Sequence, residues 1–375
     1  MEKECNKVNS MRRPKVLMLG PSPEEKGGIS AVVNTYLQLG IENKVDFKFI
    51  ATYKDGNKLK KLLVFLKAMQ ELHKDILNCD IVHVHMAAYA SFTRKSHVIE
   101  MAHKKGKRII IHQHGGAFDV FYKDASPKEQ ERIRRIFSYA SVVYVMSEEW
   151  KDFFTGNICD RDKVEVLHNG VVLPLLYDKD YDNHNILFLG RLEEKKGIYE
   201  LIEALPGILD VIPDAQLYVG GYGEEQQLAE FADQQGVKLH IHFLGWIKGE
   251  EKDTLLRQCS VFVLPSYTEG MPVSVLEAMS YGLVPIASAV GGTPQIIEDN
   301  SMGILIEPQN ISAITEAVLS VLDDEKRKQK IGSAARKQTE SKFDATVNLN
   351  RVVSRYEELL ELEPLNEIGQ TGEVN

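Results

Sequence analysis

Residues 261–281 read VFVLPSYTEGMPVSVLEAMSY. The apolar run 261–264 predicts a buried strand, and Pro272 predicts the start of a helix, because proline suits the first helical position. Glu269 lies in the loop and Glu277 on the helix, with seven residues between them. The point where a strand leads into a helix N-terminus is where α/β sheets bind anions and sugar diphosphates. A carboxylate there would repel phosphates, so it fits better beside the hydroxyls of a sugar.

The same alternation of apolar strands and helices runs along the chain in two series. A polar segment, YDKDYDNHN at 177–185, separates them. Near-continuous apolar strands are typical of parallel sheets covered on both faces. The pattern predicts an α/β fold of two doubly wound, Rossmann-like halves that face each other across a cleft. We expect domains at 1–172 and 173–345, a last helix at 346–362 and a disordered tail at 363–375.

Composition narrows the class of protein. With 43% hydrophobic and 26% charged residues, the 375-residue chain is typical of a globular protein, and its net charge of −9 argues against a nucleic-acid partner. Four scattered cysteines fit a reducing compartment, and no stretch approaches the ~20 apolar residues of a membrane span. We therefore expect a cytoplasmic protein. The basic, apolar segment KLKKLLVFLK at 58–67 predicts either a surface helix with one buried face or a helix that docks on an anionic membrane.

Two further segments are suited to binding phosphate. Gly27 and Gly28 follow the first apolar strand, and we expect Ser30 to cap the helix behind them, so that the backbone can approach a phosphate. In GRLEEKKG at 190–197, Arg191 and Lys196 follow another strand, where they could bracket a diphosphate and neutralise it as it leaves. The alternative is an exposed basic turn. Glu269 and Glu277, at another strand exit, make that alternative less favourable.

Two strands each carry a His-x-His pair. We expect His83 and His85 on one face, and His112 and His114 on another. Such pairs can bind metal, so a metal-dependent hydrolase is one alternative. His114 precedes two glycines at the exit of its strand, where it could point into a cleft, whereas His83 is better explained as a core residue.

Taken together, these motifs resemble the retaining glycosyltransferases of family 4, which have the GT-B fold and use nucleotide-activated sugars. The motifs run in the order of the family and cover nearly the whole chain. They are GGIS at 27–30, His114-Gly115, NGV at 169–171, GRLEEKKG at 190–197 and EGMPVSVLE at 269–277.

The resemblance implies a role for each matching position. His114, Glu269, Arg191 and Lys196 would form the catalytic centre, and Glu277 would bind the ribose hydroxyls. The last helix would cross back onto the first domain. The donor would also contact the remaining matched positions, which are Gly27, Gly28, Trp246, Ile247, Gly270, Met271, Pro272 and Val273.

The resemblance also implies a hexosyltransferase that needs neither metal nor cofactor. Its donor would be a UDP-sugar, with a GDP-sugar as the alternative, and its acceptor a glycan or a polyprenyl-linked glycan of a bacterial cell-surface polysaccharide. A GT-B nucleotide-sugar epimerase would share the donor pocket but needs acid/base carboxylates that the sequence does not place. A binding protein with a degenerate site is disfavoured by the intact Arg191, Lys196, Glu269 and Glu277.

Overall fold

The structure is a computed structural model, and it describes residues 12–115 and 117–361. Gly116 and the tail expected at 363–375 lie outside the described residues.

The first half of the described chain is built on a parallel sheet of six strands in the order β2-β1-β3-β4-β5-β6. Helices cover both faces of the sheet, so its inner strands are buried along almost their whole length. The six strands are β1 Lys15–Pro21, β2 Asp46–Tyr53, β3 Ile81–Met86, β4 Arg108–Gln113, β5 Val142–Val145 and β6 Val164–Val166. The helices are α1 Gly28–Gln38, α2 Ile41–Lys44, α3 Lys58–Asp75, α4 Ala90–Lys104, α5 Phe118–Lys123, α6 Pro127–Ser138 and α7 Glu148–Asn157.

The second half repeats this plan around a six-stranded parallel sheet in the order β12-β11-β10-β7-β8-β9. Its strands are β7 Asn185–Leu192, β8 Gln216–Gly223, β9 Ile241–Phe243, β10 Val261–Leu264, β11 Val284–Ser288 and β12 Ile304–Ile306. Its helices are α8 Ile198–Leu209, α9 Glu225–Gln234, α10 Glu250–Gln258, α11 Val273–Ser280, α12 Thr293–Ile296, α13 Ile311–Leu322 and α14 Glu325–Lys342. The predicted α/β fold of two doubly wound halves is confirmed.

The last helix, α15 Ala345–Glu361, leaves the second half and packs on the first. Its buried residues Leu349, Val352 and Tyr356 share a hydrophobic cluster with Val16 and Met18 of β1. The crossover begins where the amide of Val171 donates to the carbonyl of Phe343 and the amide of Ala345 donates to that of Val171. The last helix therefore ties the end of the chain to the first sheet.

Two expected helix starts differ from the structure. Helix α1 begins at Gly28 behind Gly27, and the Ser30 hydroxyl donates to the carbonyl of Ser22 instead of capping the helix. Helix α11 begins at Val273, so Pro272 is its N-cap and not its first helical residue. Helix α1 can begin before Ser30 because its N-cap, Gly27, has φ +154°, a backbone conformation that glycine adopts readily.

Helix α3 exposes apolar residues beside its lysines. Leu59, Leu62, Leu63 and Leu66 are each between 49% and 64% exposed, and the buried residues of the helix are Ala68 and Leu72, towards its C-terminal end. The segment 58–67 therefore lacks the buried leucine face that we expected of an ordinary surface helix. Among the helices of the described residues, none is both long and apolar enough to span a membrane.

Candidate active site

A cleft of about 830 Å³ lies between the two halves. It is lined by residues that follow β1 and β4 of the first sheet and β7, β9 and β10 of the second. The carboxyl ends of both parallel sheets therefore open into one space, which is where doubly wound folds bind ligands. All the site residues expected from the sequence line this cleft: Gly27, Gly28, His114, Arg191, Lys196, Trp246, Ile247, Glu269, Gly270, Met271, Pro272, Val273 and Glu277.

Glu269 and Lys196 form an ion pair in the wall of the cleft. The ammonium of Lys196 lies 2.5 Å from Oε1 of Glu269, and the hydroxyl of Ser266 donates to the same oxygen at 2.7 Å. The side chains of Lys196 and Glu269 are only 23% and 10% exposed, so water screens the pair weakly. Both groups are held in fixed positions, and a ligand could exchange partners with either.

Arg191 remains available to a ligand. Its side chain is 55% exposed, and its nearest carboxylate oxygen, on Glu193, is 3.9 Å away. The guanidinium lies 5.5 Å from the centre of the Tyr222 ring, which limits its orientation. Arg191 lines the cleft, and its planar fork of donors can bind an anionic ligand there.

Glu277, on α11, is paired with a residue that the sequence did not indicate. The ammonium of Lys252, on α10, lies 2.7 Å from Oε1 of Glu277, and both side chains are about one-quarter exposed. Lys252 is 25 residues from Glu277 in the chain, so only the fold brings the two together. The hydroxyls of a ribose could donate hydrogen bonds to the same carboxylate.

Two glycines set the position of the loop that carries Glu269. Gly291 has φ +55°, and a Cβ atom there would lie 1.9 Å from the carbonyl oxygen of Glu269. Gly197 has φ +68°, and its Cβ would lie 2.1 Å from the carbonyl oxygen of Pro265. The amide of Gly292 donates to the carbonyl of Gly270 at 2.6 Å. Only glycine can stand at positions 197 and 291 with the loop where it is.

Contacts across the cleft join the two halves. The side-chain amide of Asn169 donates to the carbonyl of Met271 at 2.9 Å. Tyr222 donates its hydroxyl to the carbonyl of Lys26, whose ammonium lies 4.5 Å from the Tyr222 ring centre and 5.6 Å from that of Trp246. Lys26 precedes the glycine loop, so this loop is held against the second half.

The four histidines lie on one face of the sheet, and not on two faces as we expected. Because β3 and β4 are neighbours with His85 opposite His112, alternate residues of both strands point to the same side. His83, His85, His112 and His114 form one group of stacked rings, here called the histidine stack. Burial lowers the pKa of His83 and His114 to about 3, and the pKa values of His85 and His112 lie well below the usual value for the same reason. All four rings are therefore neutral at physiological pH.

Three members of the stack come close enough to suggest a metal site. One ring nitrogen from each of His83, His85 and His112 lies within 4.8 Å of the others. All three side chains are at most 1% exposed, however, and the group holds no carboxylate. A catalytic metal needs an open coordination position for water or substrate, which a fully buried site does not provide. The geometry therefore disfavours the metal-dependent hydrolase, and the absence of a metal requirement stays a prediction.

Some residues of the site had no clear signal in the sequence. Lys252 lies in an acidic helix whose pattern indicates only a solvated face, and Tyr222 lies near the end of strand β8 like many other aromatic residues in strands. Gly291 stands in a Gly-Gly pair, GGTP, which marks a turn and could have drawn attention to it. Its contact with the loop of Glu269 depends on the fold, and the sequence does not indicate it.

Comparison with known proteins identifies the class to which this fold and cleft belong. The family model Glycosyltransferase Family 4 matches residues 30–173, and Glycosyl transferases group 1 matches residues 177–338. The chain belongs to the family 4 glycosyltransferases of the GT-B fold, which confirms the resemblance seen in the sequence.

A curated relative that covers most of the chain agrees with this class. The amylovoran biosynthesis glycosyltransferase AmsK of Erwinia amylovora is 25% identical over 315 residues, covering 81% of this chain and 76% of AmsK. The chain spans only 39% to 55% of the length of four further curated relatives.

Two solved structures share the fold over nearly their whole length. Sucrose-phosphate synthase from Thermosynechococcus elongatus has a TM-score of 0.78 at 19% identity, covering 93% of this chain and 99% of that one. Anabaena HepE, solved with UDP-glucose, has a TM-score of 0.70 at 19% identity, covering 92% and 99%. At this level of identity the likeness shows the fold alone.

Proposed function

We propose that the protein is a retaining hexosyltransferase that moves a sugar from a UDP-sugar to a glycan or a lipid-linked glycan. The observation that carries the proposal is the arrangement around the Lys196–Glu269 pair. Two cations, Arg191 and Lys196, line the same cleft as the start of helix α11 and the carboxylates Glu269 and Glu277. Such a site offers separate partners for a diphosphate and for sugar hydroxyls.

In this proposal the diphosphate lies between the cations and the first turn of α11. Arg191 binds it through its planar fork and Lys196 as a point charge, while the backbone at Gly28 and at residues 270–273 approaches the phosphate oxygens. The charge that develops on the leaving diphosphate is then stabilised by groups already in position. Arg191 and Lys196 therefore carry more of the rate than either glutamate.

The carboxylates and the ring of His114 bind the rest of the donor. Glu269, already fixed by Lys196 and Ser266, accepts hydrogen bonds from sugar hydroxyls remote from the anomeric carbon. Glu277 accepts from the ribose, and Lys252 gives up part of its contact when the nucleotide enters. Trp246 and Ile247 enclose the base, and His114 lies beside the sugar near the reacting centre.

We assign the acceptor to the first domain, 1–172, and the donor to the second, 173–345. The acceptor hydroxyl attacks from the face that the diphosphate leaves, which keeps the anomeric configuration without a covalent intermediate or a metal. Positioning then supplies most of the rate. Contacts that already cross the cleft, such as Asn169 to Met271, favour closure over the donor and exclude water.

The names of two similar proteins support the choice of substrates. HepE was solved with UDP-glucose, and AmsK acts in the biosynthesis of amylovoran. By analogy, we assign this chain a UDP-sugar donor and a role in the assembly of a cell-surface polysaccharide at the cytoplasmic face of the membrane.

Helix α3 supports contact with an anionic membrane. Its four leucines are exposed, and lysines at 58, 60, 61 and 67 accompany them. Apolar insertion together with basic residues is how amphipathic helices bind anionic lipid. Changing Lys58, Lys60 and Lys61 to glutamate should abolish binding to vesicles that contain phosphatidylglycerol.

The matched control for that experiment changes three exposed lysines of α14, at positions 326, 330 and 337, to glutamate. It alters the net charge equally but leaves α3 intact, so it should still bind. Equal binding by both triple variants would contradict the membrane role of α3.

The transferase proposal is tested by following nucleotide release from UDP- and GDP-sugars with and without polyprenyl-linked glycans. We expect release to depend on acceptor, with a product that retains the anomeric configuration by NMR. Conversion of the UDP-sugar into its epimer without nucleotide release would instead establish the epimerase.

A further inference from the structure

The histidine stack leads from the cleft into the interior of the first half. His114 lines the cleft, whereas His83, His85 and His112 are at most 1% exposed. Ring centres of His112 and His114 are 4.0 Å apart, and those of His85 and His114 are 5.0 Å apart. The ring that would meet the donor is therefore supported from behind by two other imidazoles.

Within the described residues, one member of the stack makes a hydrogen bond to the His114 ring. Nδ1 of His85 lies 2.8 Å from Nε2 of His114. Both rings are neutral, because burial lowers the pKa of each and so disfavours its charged form. A hydrogen bond between two neutral imidazoles needs an N–H on one side and a bare nitrogen on the other, so this contact fixes the tautomers of both rings together.

The surroundings of His85 decide the direction of this bond. Its other ring nitrogen, Nε2, is buried and meets no partner in the described part of the chain. If the proton of His85 were on Nε2, a buried N–H would be left without an acceptor, which folded proteins avoid more strictly than an unpaired acceptor. The proton therefore belongs on Nδ1, from which His85 donates to Nε2 of His114.

The remaining polar neighbours do not oppose this assignment. The His83 ring shares a hydrogen bond of 2.6 Å with the hydroxyl of Tyr356 of α15, without involving His114. The rings of Tyr36 of α1 and Tyr144 of β5 lie beside the stack. Lys95 of α4 also acts on His85. Burial lowers the pKa of Lys95 to about 7, and its protonated form further disfavours a charge on His85.

We propose that His85 is a positioning residue that holds His114 in the Nδ1–H tautomer, so that His114 offers the donor sugar an N–H and not a base. The proposal rests on the transferase function above. With its Nε2 occupied by His85, His114 has no free lone pair with which to take the proton of an acceptor hydroxyl. Its part is to donate a hydrogen bond to an oxygen of the bound sugar, which orients the reacting ring.

The direct test measures the tautomer of His114 in the full chain labelled with ¹⁵N-histidine. Long-range ¹H–¹⁵N spectra distinguish Nδ1–H from Nε2–H rings, and the signals of His114 are assigned by their loss in His114→Gln. We expect the Nδ1–H form in the wild type and a mixture dominated by Nε2–H in His85→Phe. An Nε2–H ring in the wild type would overturn the proposal, and this readout does not depend on any activity.

Kinetics separates positioning from packing. His85→Phe removes the bond but keeps a ring in the stack, and His112→Phe is the matched control, because it changes a ring of the same stack that does not bond His114. We expect kcat to fall about tenfold in His85→Phe with the donor KM unchanged, and much less in the control. His85→Asn, whose amide can take the place of Nδ1–H, should restore most of kcat.

These experiments distinguish failure of the His85 proposal from failure of the proposed function. Equal losses in both phenylalanine variants, or no rescue by asparagine, would reduce His85 to a packing residue and contradict the proposal. A wild-type chain with the Nδ1–H tautomer but no sugar transfer would contradict the proposed function and leave the assigned tautomer standing.

Discussion

Replacing Gly291 with alanine tests whether the Glu269 loop must stand where the structure has it. A Cβ at position 291 would lie 1.9 Å from the carbonyl oxygen of Glu269, whereas real Cβ contacts are essentially never under 3.0 Å. The loop must therefore retreat by about 1.1 Å or more. A displacement on the order of 1 Å can reduce a catalysed rate by roughly 100-fold, since the reacting groups lose their alignment.

The matched control is Gly106→Ala. Gly106 has φ +63°, close to the +55° of Gly291, but a Cβ there meets nothing within 4 Å. In both variants alanine must adopt a left-handed backbone conformation, which costs about 1 to 2 kcal/mol. Urea denaturation will show this cost as a loss of stability. Only Gly291→Ala should lose turnover of the nucleotide sugar by about 100-fold. If Gly291→Ala kept the turnover of Gly106→Ala, the argument from loop position would be refuted.

Three further variants test ionisable groups. Lys196→Met leaves the Glu269 carboxylate, 10% exposed, without its cation, so the free energy of unfolding in urea should fall by about 2 kcal/mol. Adding Glu269→Gln should largely restore it, and no recovery would contradict this pairing. Glu277→Gln should weaken UDP and UDP-sugar equally, about tenfold by calorimetry, and a loss confined to the UDP-sugar would place Glu277 at the sugar. His83 has a folded pKa of about 3 against 6.5, so the unfolded chain binds its proton first and stability falls as pH drops through this window. His83→Gln should reduce that slope by about 1.4 kcal/mol per pH unit near pH 4.5, and an unchanged slope would show that His83 is protonated in the folded chain.

The fold could be predicted because its signals are local. Apolar strands such as β3 and β10 and their helices repeat along the chain, and a parallel sheet requires its ligand-binding loops to meet at one edge. The residues at strand exits, among them Arg191 and Glu269, could for that reason be placed in one cleft from the sequence alone.

Features that depend on strand order and on contacts between distant elements could not be predicted. Whether His83 and His112 share a face depends on β3 and β4 being neighbours and on their register, which no single strand records. The pairing of Lys252 with Glu277 depends on where α10 packs. Likewise, the exposed leucines of α3 have the spacing of an ordinary buried face, and only the packing around the helix shows that nothing in the described chain covers them.

The central claim is that the cleft binds a nucleotide sugar through Arg191 and Lys196. It is tested most directly by thermal shift with UDP, GDP, ADP and their common sugars, with and without chelator, on the wild type and on Arg191→Ala. A ligand present at a hundred times its Kd stabilises the folded chain by about 2.7 kcal/mol. We predict a shift with UDP and UDP-sugars that chelator does not change and that Arg191→Ala loses. No shift with any nucleotide, or a shift that chelator abolishes, would contradict the account.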